Sequence, residues 1–510
     1  MKINYKLALV VIIFISFLLR FYNIDTNPPG LYIDEAAIGH NAHEILKTGK
    51  DEHEYRMPLF FKSFGDYKMP VYIYSTSVSM AVFGKNEFAI RFPSAFFGIL
   101  TILLIYLIVK KALLFEKEIS KDTVERVALL SAFLMGISSW HIHFSRGGFE
   151  TNQALFLFLL AVFLSLSYLK NKKIIFILLA AILFAVSIYA YHSYRIISPL
   201  VFGGFSLICL YKDTTNRRKI ILSMISFSIL FLPILLFSFS GQGSARFSAT
   251  SVFSELGIMT NTQKIIEYPF AVFKNYLSYF SFYFLFDTGD GIGRHQIPEF
   301  GLLFKWQLPF LLIGLYALLK SKKNILKILV VALLLISPLP ASLAVPSPHS
   351  LRSLLMVVPL LVLVSLGVVY FFDNLKRFRL YIAPLILIIA FFEFIFYSHY
   401  YYVHYPQVNQ KDWGAGYREI VINTDRLRSE YDYIVVDKNL NFAPIYYKFY
   451  SNGEIPEMVD VTWNKPKEWG NKKVLYIRPF YGSQNSEGII FNVFLDQKNN
   501  EDIIAQFWKL

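Results

Sequence analysis

A single cysteine, Cys209, stands in 510 residues, and charged side chains make up only 17% of the chain. The lone cysteine excludes an internal disulfide. Acidic residues are the scarcer sign, 36 Asp and Glu against 50 Lys and Arg. Also missing are a Walker loop, a dinucleotide fingerprint, a zinc signature and a Gly-x-Ser-x-Gly elbow. The usual nucleotide, redox-cofactor and serine-hydrolase sites are therefore not written as local motifs. The chain carries no internal repeat, low-complexity tract or heptad pattern. What it has is apolar: 55% of the chain is hydrophobic, 17% of the chain is aromatic, and the mean hydropathy is +0.45. That composition belongs to a polytopic α-helical membrane protein. The formal charge of +14 would point to nucleic acid in a soluble protein, but here much of the excess sits in short loops between apolar segments, and no nucleic-acid partner is expected.

A span takes about 20 apolar residues. Segments of this kind are predicted at 5–22, 88–109, 127–144, 153–169, 174–190, 196–211, 219–239, 301–319, 326–344, 351–371 and 379–397, eleven in all. The first follows Lys2 and Lys6 as a signal peptide would, yet it lacks a small-residue cleavage site and ends on Arg20, so it reads as an uncleaved span. The Lys/Arg-rich connections are the N-terminus, 110–126, 170–173, 212–219, 320–327 and 376–379. With the N-terminus inside, eleven spans place every one of them on the cytoplasmic side. Loops 23–87, 146–152, 191–195, 241–300 and 345–352 then face outward, with everything beyond about 398. The apolar stretch 71–83 is too short to span and reads as an interfacial or re-entrant helix. The expected organisation is a transmembrane module over 1–397 in the cytoplasmic (plasma) membrane and a small extracytoplasmic α/β domain over 398–510. In that domain a helix is predicted at 417–428 and strands at 431–436, 473–477 and 489–494.

The chemistry-bearing residues cluster in the outward loops. The first loop contains Tyr32-Ile33-Asp34-Glu35-Ala36 and, later, Phe64-Gly65-Asp66-Tyr67-Lys68-Met69-Pro70. Carboxylates at a bilayer surface among prolines and aromatics are expected to be partly desolvated and more basic, which suits a general base acting on a hydroxyl. Asp34, Glu35 and Asp66 are the candidates, and the competing reading makes Asp34 the N-cap of a helix starting at Glu35. Short outer turns carry Arg146, His192 with Arg195, and His349 with Arg352. With Lys68 these form a candidate phosphate-binding set, because guanidinium groups grip phosphate through paired hydrogen bonds. Snorkelling toward lipid headgroups is the competing reading for each arginine. Asp287 and Asp290 are either divalent-cation ligands or residues of a solvated turn, and their spacing matches no calcium loop. Lys411-Asp412-Trp413-Gly414 reads as a structural turn.

Over roughly residues 5–400 these features resemble the GT-C membrane glycosyltransferases, in particular the protein O-mannosyltransferases and the lipid A aminoarabinose transferases (family 39 and its neighbours). Residues 32–36 look like that family's acidic motif after the first span, and Asp66 to Pro70 like its acidic-Lys-Pro-Pro segment. The resemblance implies an inverting transfer from a polyprenyl-phosphate sugar to an acceptor hydroxyl on the outer membrane face. It implies Asp34 as the base, and Lys68 with one or more of Arg146, Arg195 and Arg352 at the departing phosphate. The implied partners are the lipid-linked donor, membrane lipids, and an acceptor that is a glycolipid, a polysaccharide or a protein. Tyr67 stands where the lipid A transferases carry an acid, and Met69 replaces the first proline, so their metal is not carried over; a divalent metal stays only a candidate cofactor. The Trp-Trp-Asp-Tyr-Gly signature of oligosaccharyltransferases is absent. Two other readings stay open: an O-antigen polymerase or ligase, and a lipid-linked sugar transporter. The first does not call for an acidic pair straight after span one, and the second favours charges within spans and repeated halves.

Overall fold

The computed structural model describes the chain except residues 1–3, 65, 117, 257–260, 323, 376–378, 428–433, 438–443, 452–457, 462–473, 478–489, 498–499 and 510. Helix α1 (Tyr5–Phe21) leads into α2 (Ile33–Thr48), a hairpin of β1 (Phe61–Ser63) and β2 (Asp66–Lys68), and α3 (Pro70–Phe83). Then come α4 (Glu87–Leu113), α5 (Lys121–Ile137), α6 (Ser139–Arg146), α7 (Glu150–Asn171), α8 (Ile174–Ile188), α9 (Tyr194–Lys212) and α10 (Arg217–Phe239). The long loop holds α11 (Gly241–Thr250), α12 (Val252–Glu255) and α13 (Asn261–Ser278). It is followed by α14 (Gln307–Lys320), α15 (Ile325–Ile336), α16 (Leu339–Ser342), α17 (Val357–Asn374) and α18 (Arg379–His399).

Each of the eleven predicted apolar segments contains helix, but their lengths differ. Among the described residues seven helices are long and apolar enough to cross a membrane, or eight if α5 and α6, which meet at a 54° bend, count as one span. Helices α8 and α14 are apolar but shorter. The chain is a multi-pass membrane protein; eleven crossings are more than length and composition alone support. At 1.5 Å per residue, the 14 residues of α3 reach only about 21 Å, and it packs on α2 and α4 as part of the first loop.

The Lys/Arg-rich connections gather at one end of the bundle. Tyr5 bonds Asp122, Lys110 pairs with Glu125 at 2.5 Å, and Arg126 with Asp373 at 2.7 Å. Lys322 meets Glu118 at 3.0 Å, and Lys172 meets Asp213 at 2.7 Å. Residues 376–378 of the last basic loop lie outside the described residues. The core is built on α4, α5, α7 and α17. Helices α14 and α17 touch backbone to backbone: a Cβ at Gly314 would stand 1.8 Å from the Leu363 carbonyl oxygen, and one at Gly367 1.8 Å from that of Phe310. Small residues permit such contact where apolar helices have little hydrophobic drive between them.

Beyond α18 lie α19 (Tyr405–Val408), α20 (Tyr417–Leu427) and α21 (Pro444–Tyr450). The last two bury Ile420, Val421, Tyr446 and Phe449 against Leu31, Ala36 and Ile38 of the first loop, so this part of the tail shares a core with it. Strands β3 (Ile434–Asp437), β4 (Met458–Val461), β5 (Val474–Ile477), β6 (Ile490–Gln497) and β7 (Asn500–Lys509) form a sheet of order β4-β5-β3-β6-β7. The first three run parallel, and β6 and β7 are antiparallel to their neighbours. The predicted strands begin at 431, 473 and 489, positions outside the described residues; those of their residues that are described are strand.

Candidate functional site

The site is assembled at the end of the bundle opposite the basic loops, around the start of α2. Glu35 at the third helical position accepts the Tyr32 backbone N–H at 3.3 Å. Such a reciprocal cap satisfies a donor that the helix leaves unpaired. Glu35 is fully buried and also takes Nε of Arg91 at 2.9 Å, the Arg91 amino group at 3.1 Å and the Gly148 N–H at 2.7 Å. Arg91, equally buried, donates onward to the carbonyls of Ile24 (2.9 Å), Pro28 (2.8 Å) and Gly30. Gly30 itself lies at φ +77°, with the Gly414–Ala415 backbone where a side chain would stand. Two corrections follow. Helix α2 starts at Ile33, so Asp34 is not its N-cap, and Glu35, named with Asp34 and Asp66 as a candidate acid or base, is enclosed as a structural anchor.

With Glu35 facing inward, Asp34 faces out. Its Oδ1 accepts from Lys68 Nζ at 2.6 Å; the Asp34 side chain is 41% exposed and that of Lys68 9%. Asp34 is thus more open to solvent than its predicted desolvated setting. Lys68 closes the β1–β2 hairpin, where it pairs with Phe61. Asp66, two residues earlier on the strand, accepts its neighbour's N–H at Oδ1, 2.6 Å from the Tyr67 nitrogen. The hairpin thus delivers Lys68 to Asp34 across 34 positions of sequence.

Connected to this pair through Met69 is a cavity of about 340 Å³, within the range of small-ligand sites. Arg195, His192 and Arg352 line it together with the apolar Phe231, Leu235 and Leu343. Arg195 donates to Ser238 Oγ at 3.3 Å and reaches Met69 Sδ at 3.5 Å, which joins the cavity to the residue after Lys68. Arg352 bonds the Val345 carbonyl at 3.2 Å, and Ser193 bonds the Arg352 carbonyl at 3.1 Å. Three residues of the predicted cationic set therefore line one amphipathic chamber.

Arg146 and His349 do not join them. Arg146 is fully buried, and its amino nitrogens serve the carbonyls of Leu19 (3.0 Å), Arg20 (3.2 Å), Tyr22 (2.7 Å), Asn23 (3.3 Å) and Asn27 (2.7 Å). It ties off the end of α1, whose last carbonyls lack partners within the helix, and is not placed to meet a phosphate. His349 instead meets His295 in a tilted ring contact at 4.6 Å. Ligand atoms of Asp290, His295 and His349 lie within 4.8 Å of one another, the one such group among the described residues. Two imidazoles and a carboxylate are donors that zinc accepts. Both Asp290 oxygens are already engaged, however: Oδ2 by His295 Nδ1 (2.8 Å) and by the N–H and hydroxyl of Ser350 (2.8 and 2.7 Å), Oδ1 by the Ile292 N–H (3.1 Å). Burial pushes its carboxyl up, but these bonds outweigh burial and hold it well below the usual range. Asp290 is no solvated turn residue. As arranged, it fits a role in holding His295 and the Ser350 turn better than that of a metal ligand.

Three further residues belong to the site's frame. Arg91 could have been found as a lone charge at the outer end of an apolar span. Trp413, in the turn read as structural, is fully buried and T-stacks on Tyr32 at 5.5 Å. Arg294 lies over the Tyr32 ring at 5.2 Å, and only its neighbour His295 marked it in the sequence.

A family model described as dolichyl-phosphate-mannose-protein mannosyltransferase matches residues 67–237, the stretch from the Lys68 hairpin through α10. No curated protein matches the chain. Among solved structures, ArnT from Cupriavidus metallidurans in the apo state is 12% identical with a TM-score of 0.53, over 89% of this chain and 86% of that one. The same protein bound to undecaprenyl phosphate is 11% identical with a TM-score of 0.50, over 92% and 88%. The Archaeoglobus fulgidus oligosaccharyltransferase, in complex with Zn and sulfate, is 16% identical with a TM-score of 0.52, over 93% of this chain. This chain spans 62% of that protein's length. At such identities the likeness is one of fold. The protein is a multi-pass membrane protein of the GT-C glycosyltransferase fold that resembles the protein O-mannosyltransferases and ArnT.

Proposed function

We propose that the protein transfers a sugar from a polyprenyl-phosphate donor to an acceptor hydroxyl on the outer face of the cytoplasmic membrane, with inversion at the anomeric carbon. The observation that carries this reading is the amphipathic chamber beside the Asp34–Lys68 pair. An anionic headgroup on an apolar tail needs both cations and hydrocarbon, and the chamber lining offers Arg195, Arg352 and His192 together with Phe231, Leu235 and Leu343. The solved ArnT complex with undecaprenyl phosphate supports the ligand class.

In this mechanism Asp34, half-exposed and at the rim, takes the proton of the acceptor hydroxyl. The hydroxyl oxygen bonds the anomeric carbon as the bond from that carbon to the phosphate oxygen breaks. The electron pair leaves with polyprenyl phosphate. Lys68, 2.6 Å from Asp34, and the Arg195 and Arg352 guanidinium groups stabilise the charge that develops there. Lys68 thereby links base and leaving group. Asp66 holds the hairpin turn, and Glu35 holds α2. The transmembrane module over 1–397 provides this chemistry, and α20 and α21 of the segment beyond 398 roof α2 on the acceptor side.

The test is reconstitution of wild type and Asp34→Asn with undecaprenyl-phosphate sugars and a membrane extract as acceptor, following released undecaprenyl phosphate and labelled product. Loss of turnover by about 10³-fold or more with unchanged donor binding is expected for removal of a catalytic base. Equal turnover in both proteins would remove Asp34 from the reaction.

A further inference from the structure

Arginines around the start of α2 fall into two kinds. Arg91 and Arg146 give their donors to a carboxylate and to carbonyls. Arg294 is different. Its backbone is pinned: its carbonyl accepts His143 Nε2 at 2.7 Å, and the preceding Gly293 carbonyl accepts the Tyr405 hydroxyl at 2.8 Å. Its guanidinium, only partly exposed, meets no hydrogen-bond acceptor among the described residues. It rests instead on the face of Tyr32, two residues before Asp34. Placing a guanidinium on an aromatic face leaves its in-plane donors available. Burial pushes the Tyr32 hydroxyl well up, Asp34 raises it further and Arg294 opposes.

The two sides of Asp34 are also unlike. Lys68, Met69 and Arg195 lead to the chamber. Arg294 is absent from the residues that line that chamber and lies beside the tail elements that roof α2: Tyr405 reaches Gly293, and Tyr446 donates to the Leu31 carbonyl at 3.1 Å. A pinned cation with open donors, held on the ring two residues before the catalytic carboxylate and outside the chamber lining, is suited to an anion arriving from the acceptor side.

We infer that Arg294 binds a phosphate or carboxylate group of the acceptor, which makes the acceptor an anionic glycolipid or polymer. This rests on the transferase reading above. No covalent step is involved; the guanidinium orients the acceptor so that its hydroxyl meets Asp34.

The test uses the full chain in nanodiscs with sn-glycerol 1-phosphate and undecaprenyl phosphate as separate probes, and glycerol as the neutral control. Binding is measured for wild type, Arg294→Gln, Arg294→Lys and Arg195→Gln. Arg294→Gln is expected to weaken glycerol phosphate at least tenfold while undecaprenyl phosphate is unchanged, Arg294→Lys to retain part of the affinity, and Arg195→Gln to do the reverse. Glycerol should bind none of them measurably. The inference is overturned if wild type does not bind glycerol phosphate, if Arg294→Gln leaves that binding intact, or if it weakens undecaprenyl phosphate, which would make Arg294 a donor ligand. The transferase reading fails separately, through wild type or Arg195→Gln with undecaprenyl phosphate. Unchanged undecaprenyl phosphate binding also shows that the Arg294 variants are folded.

Discussion

Two adjacent carboxylates at the start of α2 are assigned opposite duties, and isosteric amides separate them. In Glu35→Gln the shape is kept but the charge that balances Arg91 is lost. Both side chains are 0% exposed, and Arg91 would stay charged among three carbonyls without its carboxylate. Removing one partner of a buried pair costs about 3–5 kcal/mol, and the Gly148 and Tyr32 N–H groups would compete for one amide oxygen in place of two. The loss is discounted for local relaxation and is expected near 3 kcal/mol. In Asp34→Asn the amide oxygen can still accept from Lys68, and although Lys68 is only 9% exposed the Asp34 side of the pair is 41% exposed, so the effect on stability is expected at about 1 kcal/mol. The assay pairs thermal unfolding in detergent with release of undecaprenyl phosphate. Expected is a melting midpoint lowered by several degrees for Glu35→Gln, with residual turnover at low temperature, and a midpoint near wild type with no turnover for Asp34→Asn. Equal destabilisation by the two, or a stable but inactive Glu35→Gln, would refute this division.

Arg195→Gln and Arg352→Gln should each raise the KM for the lipid-linked donor about 10- to 100-fold while leaving the melting midpoint within a degree or two, as read by turnover against donor concentration. Arg146→Gln should do the opposite, lowering stability by about 2–4 kcal/mol through carbonyls left without donors, with donor KM unchanged in the folded fraction. His40, on the buried face of α2, has its pKa lowered to about 4, chiefly by burial and further by Lys448 and Lys85 against the opposing Glu52. The unfolded chain therefore binds the extra proton first. The neutral imidazole's contribution is whole above pH 6.5 and is lost as pH falls toward 4, about 2 kcal/mol by pH 5. The gap between melting midpoints at pH 7.5 and pH 5 should accordingly shrink in His40→Gln.

The membrane class, the positions of the apolar segments and the gathering of basic loops at one end were legible because each follows from composition along the chain. The Asp34-to-Lys68 neighbourhood was legible as two nearby motifs, although their pairing needed the hairpin. What could not be read was which charged residues face inward. Glu35 and Asp34 are adjacent in an unbroken motif, and helix geometry separates them by about 100°. Only the position of Arg91, 56 residues away, decides which one is enclosed. Arg146 and Arg195 look alike in sequence, each in a short outer turn after a span. The first meets a helix end rich in unpaired carbonyls, and the second meets a chamber lined by apolar side chains. A guanidinium satisfied by backbone oxygens is structural, and one that lines an amphipathic chamber is the kind proposed above to meet a phosphate. That distinction lies in what surrounds the residue, and the surroundings come from helices far apart in the chain. The same test of what a cation already holds separates Arg294 from Arg91, and it locates the acceptor side of the site at the residue whose donors the fold leaves open.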